Sequence, residues 1–485
     1  WAYKYTDFKS PHGSAGGKHG GVATEWKFAE VMTAYNAYMD ADALGYSSFP
    51  NASFYQHYPV PAVVKQDTVP TRARLIKEGV LDAEGRLLPV NYYAFYQGDF
   101  DAAAWVYWHF PKIWNDPARG TLPLTWAINP SLAQRFPFGM HYLRKTSAPR
   151  EVFVAGEASG YLNPALLQEP RPEPGLPDAL DIWVAHNAKW YRQWDITVTG
   201  FNIDGNTAAM SDRGFAAYQK FSPGGVGLQR APSAFGVRGY LPYLQMMTDL
   251  PSNDGRPVDD ATVNAVRDFF EMETPNFVLV RSILQTPSYY AEIQRRLQAP
   301  GNLPNRLVDM PTLCWLVREY QRDPRCIKDS GPYADKRLVR ATPESREGLR
   351  RRTVADGVAT IGKIAGQAVW QIPGGKSPYL YFDVAKDFLR TLTGGAVKIR
   401  VTYLDDASAA VGLHYDSSDT KAACSGAYKN AKRISTSVTN TVATAEFDLP
   451  DALFSGRQNG GSDFRLYSVT PLHVLSVQVE KAQMK

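Results

Sequence analysis

The sequence predicts a mixed α/β protein: its strand–helix pattern gives a barrel or open parallel sheet over residues 1–320, followed by an all-β jelly-roll-type sandwich over residues 353–485. Three observations support that division. As far as Tyr320, short aromatic and β-branched runs alternate with amphipathic helical stretches, the pattern of strands feeding crossover helices in a parallel sheet. Residues 321–352 (RDPRC, SGPYADK, ESREGLRRR) are polar, basic and rich in turn formers, which reads as a linker. After residue 353 apolar side chains recur at every second position, as on one face of an antiparallel strand.

The elements follow in order. Thr24 is placed to cap a helix whose Phe28, Val31, Met32, Tyr35 and Met39 recur at helical spacing. Strands are expected at Tyr92–Tyr96, Leu124–Ile128, Glu151–Ala155, Asp195–Ile203 and Phe277–Ile283. Each is short and apolar and runs into Gly, Asn, Pro or an acid, as buried parallel strands do before their βα loops. Another helix is expected over Asp259–Phe270. In the second part, Val397, Ile399, Val401 and Tyr403 share one face of a strand, and Leu475, Val477 and Val479 one face of the last, with turns at GGK, DDAS and NGGSD. Such a sandwich commonly serves as a carbohydrate-binding or packing module.

Composition narrows the function. The 485 residues carry a net charge of +5, and the surplus of Lys and Arg falls between residues 318 and 352, leaving the rest neutral. That argues against a broad nucleic-acid surface. No stretch approaches the roughly 20 apolar residues of a bilayer span, so no membrane span is expected and the chain reads as soluble and already processed, a mature chain. Cys314, Cys326 and Cys424 lack metal-site spacing, although a bridge between Cys314 and Cys326 is compatible with it. His12 and His19 have no nearby carboxylate or Cys partner, so no metal and no cofactor is expected. A G-x-S-x-G elbow and a phosphate-loop pattern are both absent.

In a parallel barrel the reacting groups sit at the C-terminal strand ends. Three separate strand ends deliver carboxylates there: Asp99 and Asp101 behind Gly98, Glu157 behind Gly156, and Asp204 after DITVTGFNI, while LTWAI delivers Asn129. Glycosidic cleavage needs one protonated carboxyl to assist the leaving oxygen and one ionised carboxyl as nucleophile or base, about 5–5.5 Å apart for retention and about 6.5–9.5 Å for inversion. Glu157 is the candidate general acid, and Asp99 or Asp101 the partner.

The ordered motifs NASFYQHYPV (51–60), YQGDFDAAAW (96–105), DPARGTLPLTWAINPSL (116–132), VFVAGEASGYLNP (152–164) and TGFNIDG (199–205) resemble the GxGYxYxxP family of glycoside hydrolases. The resemblance continues through FVLVRSILQTPSYY (277–290) and VDMPTLCWLVREY (308–320), most of the first 320 residues, and narrows the fold expected there to a distorted (β/α) TIM-like barrel. It departs at Ala158-Ser159-Gly160-Tyr161, where the first motif glycine is Ala158, and family members usually carry a further domain upstream of the segment beginning at Trp1. Carried over, the pattern marks Glu25, Trp26, Asn51, His57, Asp99, Asp101, Trp105, Trp126, Asn129, Tyr161, Asn163 and Arg281. Sugar stacking is then expected on Trp105, Trp126 or Tyr161, and hydrogen bonding to hydroxyls on Asn129, Asn163 and His57. The expected partner is a polysaccharide or oligosaccharide, and a secreted or extracellular location is expected only with that polysaccharide-active reading.

Two rivals stand beside hydrolysis. A lyase acting on a uronic-acid polymer would use His57 or Tyr161 as base and Arg281 to neutralise the substrate acid, with the Arg-rich linker holding the polyanion. A non-catalytic glycan-binding protein would keep the barrel as a scaffold.

Overall fold

The computed structural model describes residues 24–38, 49–66, 70–202, 210–251, 255–323, 331–354, 356–375, 379–390 and 396–482. The chain divides into two compact units. The first comprises Trp1–Phe270, Pro275–Leu297 and Asn305–Ile327, and the second Glu271–Thr274, Gln298–Pro304 and Lys328–Lys485. Among the described residues no helix is long and apolar enough to cross a membrane.

The first unit is built on strands β1 (Asn91–Phe100), β2 (Leu124–Ile128), β3 (Glu151–Ala155), β4 (Val198–Thr199), β5 (Gly225–Leu228), β6 (Phe235–Arg238), β7 (Leu241–Asp249), β8 (Asn276–Ile283) and β9 (Asn305–Leu307). Seven of them close a parallel barrel in the order β1-β2-β3-β4-β5-β7-β8, with β8 returning to β1. The distortion has a visible cause. On one edge β1 pairs first with β9, through Asn91–Tyr93, and only from Tyr96 onward with β2. The short β9 thus wedges into the N-terminal end of a seven-stranded barrel, while β6 adds an antiparallel ribbon on β7.

Alternation along β1 and β8 sends Tyr92, Ala94, Tyr96, Phe277 and Leu279 into one core cluster with Ala127, Val154, Val198 and Leu244. The helix Met310–Arg322 adds Met310, Leu313, Cys314 and Val317 to that cluster. Its start is well specified, because Asp309 accepts from Thr312 N at 2.7 Å and Pro311 occupies the first turn. Cys314 is a free, buried thiol, so the bridge to Cys326 is not made; Cys326 itself lies outside the described residues. The expected helix at Asp259–Phe270 is Asp260–Arg267, capped by Asp259. The helix at Thr24 is present as Thr24–Ala34.

The second unit contains β10 (Leu338–Thr342), β11 (Ser345–Glu347), β12 (Leu349–Arg352), β13 (Thr360–Ile364), β14 (Gln367–Ile372), β15 (Tyr379–Val384), β16 (Val397–Leu404), β17 (Ala410–Tyr415), β18 (Lys429–Asn430), β19 (Ile434–Ser435), β20 (Val442–Leu449), β21 (Phe464–Tyr467) and β22 (Leu472–Lys481). One antiparallel sheet runs β11-β10-β22-β14-β13, with β16 and β20 added beside β22, and the other runs β12-β15-β21-β17-β18 with β19 on β17. Trp370 of β14 meets Phe382 of β15 at 5.3 Å between ring centroids, joining the two.

Two expectations change here. The segment 338–352 is not linker: it supplies β10, β11 and β12. Arg350 is only 3% exposed, paired with Glu271 and with Asp383 at 3.4 Å, and Arg352 pairs with Asp383 at 2.9 Å, so these cations are spent inside the unit and not on a polyanion. In β22 the core positions are Val474, Val477 and Val479, not Leu475. A register shift against β16, where Tyr403 faces Val474 and Thr402 faces Ser476, leaves Leu475 as the extra residue of a bulge.

Candidate active site

At the C-terminal end of the barrel the ring of Tyr96 lies across the interior. A Cβ on Gly98 would stand 2.3 Å from its Cε1, and one on Gly200 would stand 2.4 Å from its Cε2, so both strands need glycine for the ring to fit. A Cβ on Gly156 would lie 3.7 Å from the hydroxyl. Tyr96 therefore forms a floor flanked by three glycines at the ends of β1, β3 and β4.

Glu157 stands on that floor. It follows Gly156, is half-buried, and its Oε1 accepts from Tyr96 Oη at 3.5 Å. The loop beyond is tightly held. Ala158 takes φ 61° and Gly160 φ 127°, so Ala158 adopts the left-handed conformation a glycine would take there. Between them, the N–H of Ser159 donates to Asn187 Oδ1 at 2.9 Å and its carbonyl lies 3.1 Å from His186 Nε2. Both partners sit on the helix Leu180–Trp194. Burial pushes the His186 pKa down, which keeps the ring neutral.

The same loop ends at Tyr161, whose hydroxyl donates to Asp101 Oδ2 at 2.8 Å. Asp101 is 3% exposed. Opposite, Arg281 of β8 pairs in register with Tyr96. Its guanidinium lies 5.3 Å from the Phe201 ring centroid and its Nη1 donates to Asp249 at 3.2 Å. A carboxyl beside a tyrosine hydroxyl, a second carboxyl just past β1 that is tied to the same loop through Tyr161, and a cation on β8 are equipped for proton transfer to a polar substrate.

The structure therefore brings together Asp101, Glu157, Tyr161 and Arg281 at one end of the barrel. Asp99 lies at the end of β1 where the pairing shifts, but its side chain is outside the described residues, as are those of Glu25 and Trp26 on the helix Thr24–Ala34; Asp204 is outside them altogether.

Other expectations need correction. Trp126 is wholly buried, packed on Phe110, Trp114 and Phe100, so it cannot stack on a sugar. Its neighbour Ala127 takes the inward position instead. Asn129 and Asn163 are also buried, and their Oδ1 atoms accept from Ser131 N and Ala165 N as caps of short 3-10 turns. Trp105, half-buried on the helix Ala103–Trp108, has its ring against His109. His57 is exposed just beyond the helix Ala52–Tyr55, whose N-cap is Asn51, and the next residue, Tyr58, contacts His141 on the helix Pro137–Lys145. This motif borders a separate cavity of about 360 Å³ lined by Tyr55, Phe110, Trp114, Phe136, Phe138 and Tyr142 among others, with no carboxylate or histidine among the described residues that line it. Sequence reasoning missed Tyr96, Phe201, His186 and Asn187. Gly98 and Gly200 were the available signal for Tyr96, since each sits where a barrel strand would otherwise carry a bulky side chain.

Residues 89–232 match the family model of the GxGYxYP putative glycoside hydrolase C-terminal domain. The matched segment contains Asp99, Asp101, Trp105, Trp126, Asn129, Glu157, Tyr161, Asn163 and Asp204, and leaves Glu25, Trp26, His57 and Arg281 outside. No curated protein matches the chain. Among solved structures, a putative hydrolase from Bacteroides thetaiotaomicron is similar at 14% identity and a TM-score of 0.41, covering 61% of this chain and 55% of that one. The chain thus spans little more than half of that protein's length. The xylan-binding module CBM15 is similar at 15% identity and a TM-score of 0.21, over 30% of this chain and 98% of that one. The C-terminal CBM6 of a laminarinase from Zobellia galactanivorans gives 11% and 0.16, over 30% and 99%.

Proposed function

We propose that the chain is a secreted polysaccharide-active glycoside hydrolase whose barrel unit carries the reaction. The observation that supports this best is the loop Gly156–Tyr161, which holds Glu157 over Tyr96 and, through Tyr161, is tied to Asp101 within the segment that matches the glycoside hydrolase family. Glu157, half-exposed beside a hydroxyl, is the general acid. Asp101, closed off and bonded to Tyr161, anchors the loop, which leaves Asp99 or Asp204 as the ionised partner. In that role the partner attacks the anomeric carbon or activates water while Glu157 protonates the leaving oxygen. The substrate is a neutral or acidic glycan, with no nucleic-acid partner.

The test is Glu157→Gln assayed for new reducing ends on a panel of neutral and uronic-acid polysaccharides. Loss of turnover by at least about 10²-fold with unchanged circular dichroism is expected; undiminished turnover would remove Glu157 from the reaction. A second reading follows from Arg281 in register with Tyr96, since a cation beside a phenol suits proton abstraction next to a substrate carboxylate. Products absorbing in the ultraviolet would decide for that lyase.

A further inference from the structure

The outer face of the β12-β15-β21-β17-β18 sheet is not the polar surface that an antiparallel sheet usually turns to water. Leu380, Phe382, Leu413, Phe464 and Leu466 point into the sandwich. Their alternating neighbours Tyr379, Tyr381, His414, Arg465 and Tyr467 therefore share the opposite face, where Tyr381 and Tyr467 are covered and Tyr379, His414 and Arg465 are half-buried. The Arg465 guanidinium lies 3.6 Å from the ring centroid of Tyr379 and 4.4 Å from that of Tyr428. Its Nε donates to His414 Nδ1 at 3.0 Å and its Nη1 to Tyr381 Oη at 2.6 Å, while Nη2 has no acceptor among the described residues.

His414 stacks on Tyr467 at 4.5 Å and 19°. Because its Nδ1 accepts from Arg465, its own proton sits on Nε2, a further donor. A Cβ at position 412 would come within 2.4 Å of the Tyr467 ring, so Gly412 is what lets that ring lie flat on β17. Arg433 donates from Nε to Tyr467 Oη at 2.9 Å and is otherwise exposed. A carboxylate at this face, Asp356, accepts from Tyr381 Oη and Asn459 Nδ2 and lies 3.9 Å from Arg465 Nη1. The face thus combines ring planes with N–H donors on Arg465, His414 and the exposed Arg433, and Asp356 is already engaged.

We propose that this face is a binding site for a sugar bearing a carboxylate, with Tyr428 and Tyr379 covering the apolar side of a pyranose ring and Arg465 and Arg433 receiving the acid. Arginine held flat between tyrosines loses little freedom on binding, and its planar fork matches a carboxylate. The site belongs to the second unit alone and stands whether or not the barrel is a hydrolase.

Calorimetric titration of the full chain with tetramers of galacturonate, glucuronate and mannuronate, each beside its carboxyl-reduced counterpart, tests it. At least one acidic tetramer is expected to bind about tenfold or more tighter than its neutral counterpart. Tyr428→Ala and Arg433→Ala, both at accessible side chains, are each expected to weaken that binding about five- to tenfold with thermal unfolding unchanged. Binding by none of the acidic tetramers, equal affinity for the neutral ones, or binding indifferent to both substitutions would each overturn the proposal. Loss of binding in these variants with unaltered Glu157-dependent turnover separates this site from the barrel.

Discussion

Gly200→Ala tests the floor of the barrel site most directly. The new methyl would lie 2.4 Å from Cε2 and 2.6 Å from Cδ2 of Tyr96, against the 3.4–4 Å of ordinary contact, so ring or strand must move by about 1 Å. Escape to the other side is blocked, because the opposite ring edge abuts Gly98, where a Cβ would be 2.3 Å away. Overpacking of this kind costs about 1–3 kcal/mol. The Tyr96 hydroxyl moves with the ring, and if Glu157 is the acid proposed above, a displacement of about 1 Å beside it should lower turnover by about 10²-fold. Urea denaturation and reducing-end assays on Gly200→Ala read both effects. The cause is isolated by repeating the substitution in Tyr96→Phe and Tyr96→Leu backgrounds. Phenylalanine keeps the ring and should keep the full cost, while leucine removes the ring edge and should relieve at least about 1 kcal/mol of it. A cost that is equal in all three backgrounds, or below about 0.5 kcal/mol in the first, refutes the argument.

Asn187→Ala leaves the buried N–H of Ser159 without its acceptor, an expected loss of about 1–3 kcal/mol, and turnover should fall with it because Glu157 rides on the same loop; denaturation midpoints and kcat measure the two. Burial pushes the Asp463 pKa up to about 6, against the opposing pull of Lys386 and two backbone N–H groups. The folded value is above the unfolded one, so this group's contribution is present in full below about pH 4 and is lost as pH rises through 6, by about 3 kcal/mol at 1.36 kcal/mol per unit. Asp463→Asn should therefore flatten the stability profile of the second unit between pH 4 and 7, read from urea midpoints across that range. Arg350→Ala should cost about 1–3 kcal/mol, because Asp383 and Glu271 lose their buried partner while Arg352 still pairs with both; thermal scans measure the loss.

The strands that were legible in the sequence are those in which packing is done by side chains. β2 and β3 match the expected runs LTWAI and EVFVA residue for residue, β8 starts one residue earlier than expected, at Asn276, and β1 runs from Asn91 on to Phe100. β5, by contrast, reads GVGL and gave no signal. A Cβ at Gly227 would meet the Gly200 carbonyl oxygen at 2.0 Å, and one at Gly225 would meet Cys314 Sγ at 2.5 Å. Close backbone approach there demands glycine, and glycine erases the β-branched signature by which a strand is recognised. The same trade explains the site. Tyr96 shows no distinguishing feature in YYAFY; its place is set by glycines on β1 and on β4's outlet, more than a hundred residues apart in sequence. Trp126 misled for a related reason. Every residue of β2 is buried, so no polar alternation tells which side chains enter the barrel, and a one-residue change of parity separates a tryptophan in the helix-facing layer from one at the mouth. Glu157, whose part in the reaction Glu157→Gln decides, is not subject to that ambiguity of parity, because it lies beyond the last paired residue of β3, on a loop after glycine where its carboxyl reaches the Tyr96 hydroxyl.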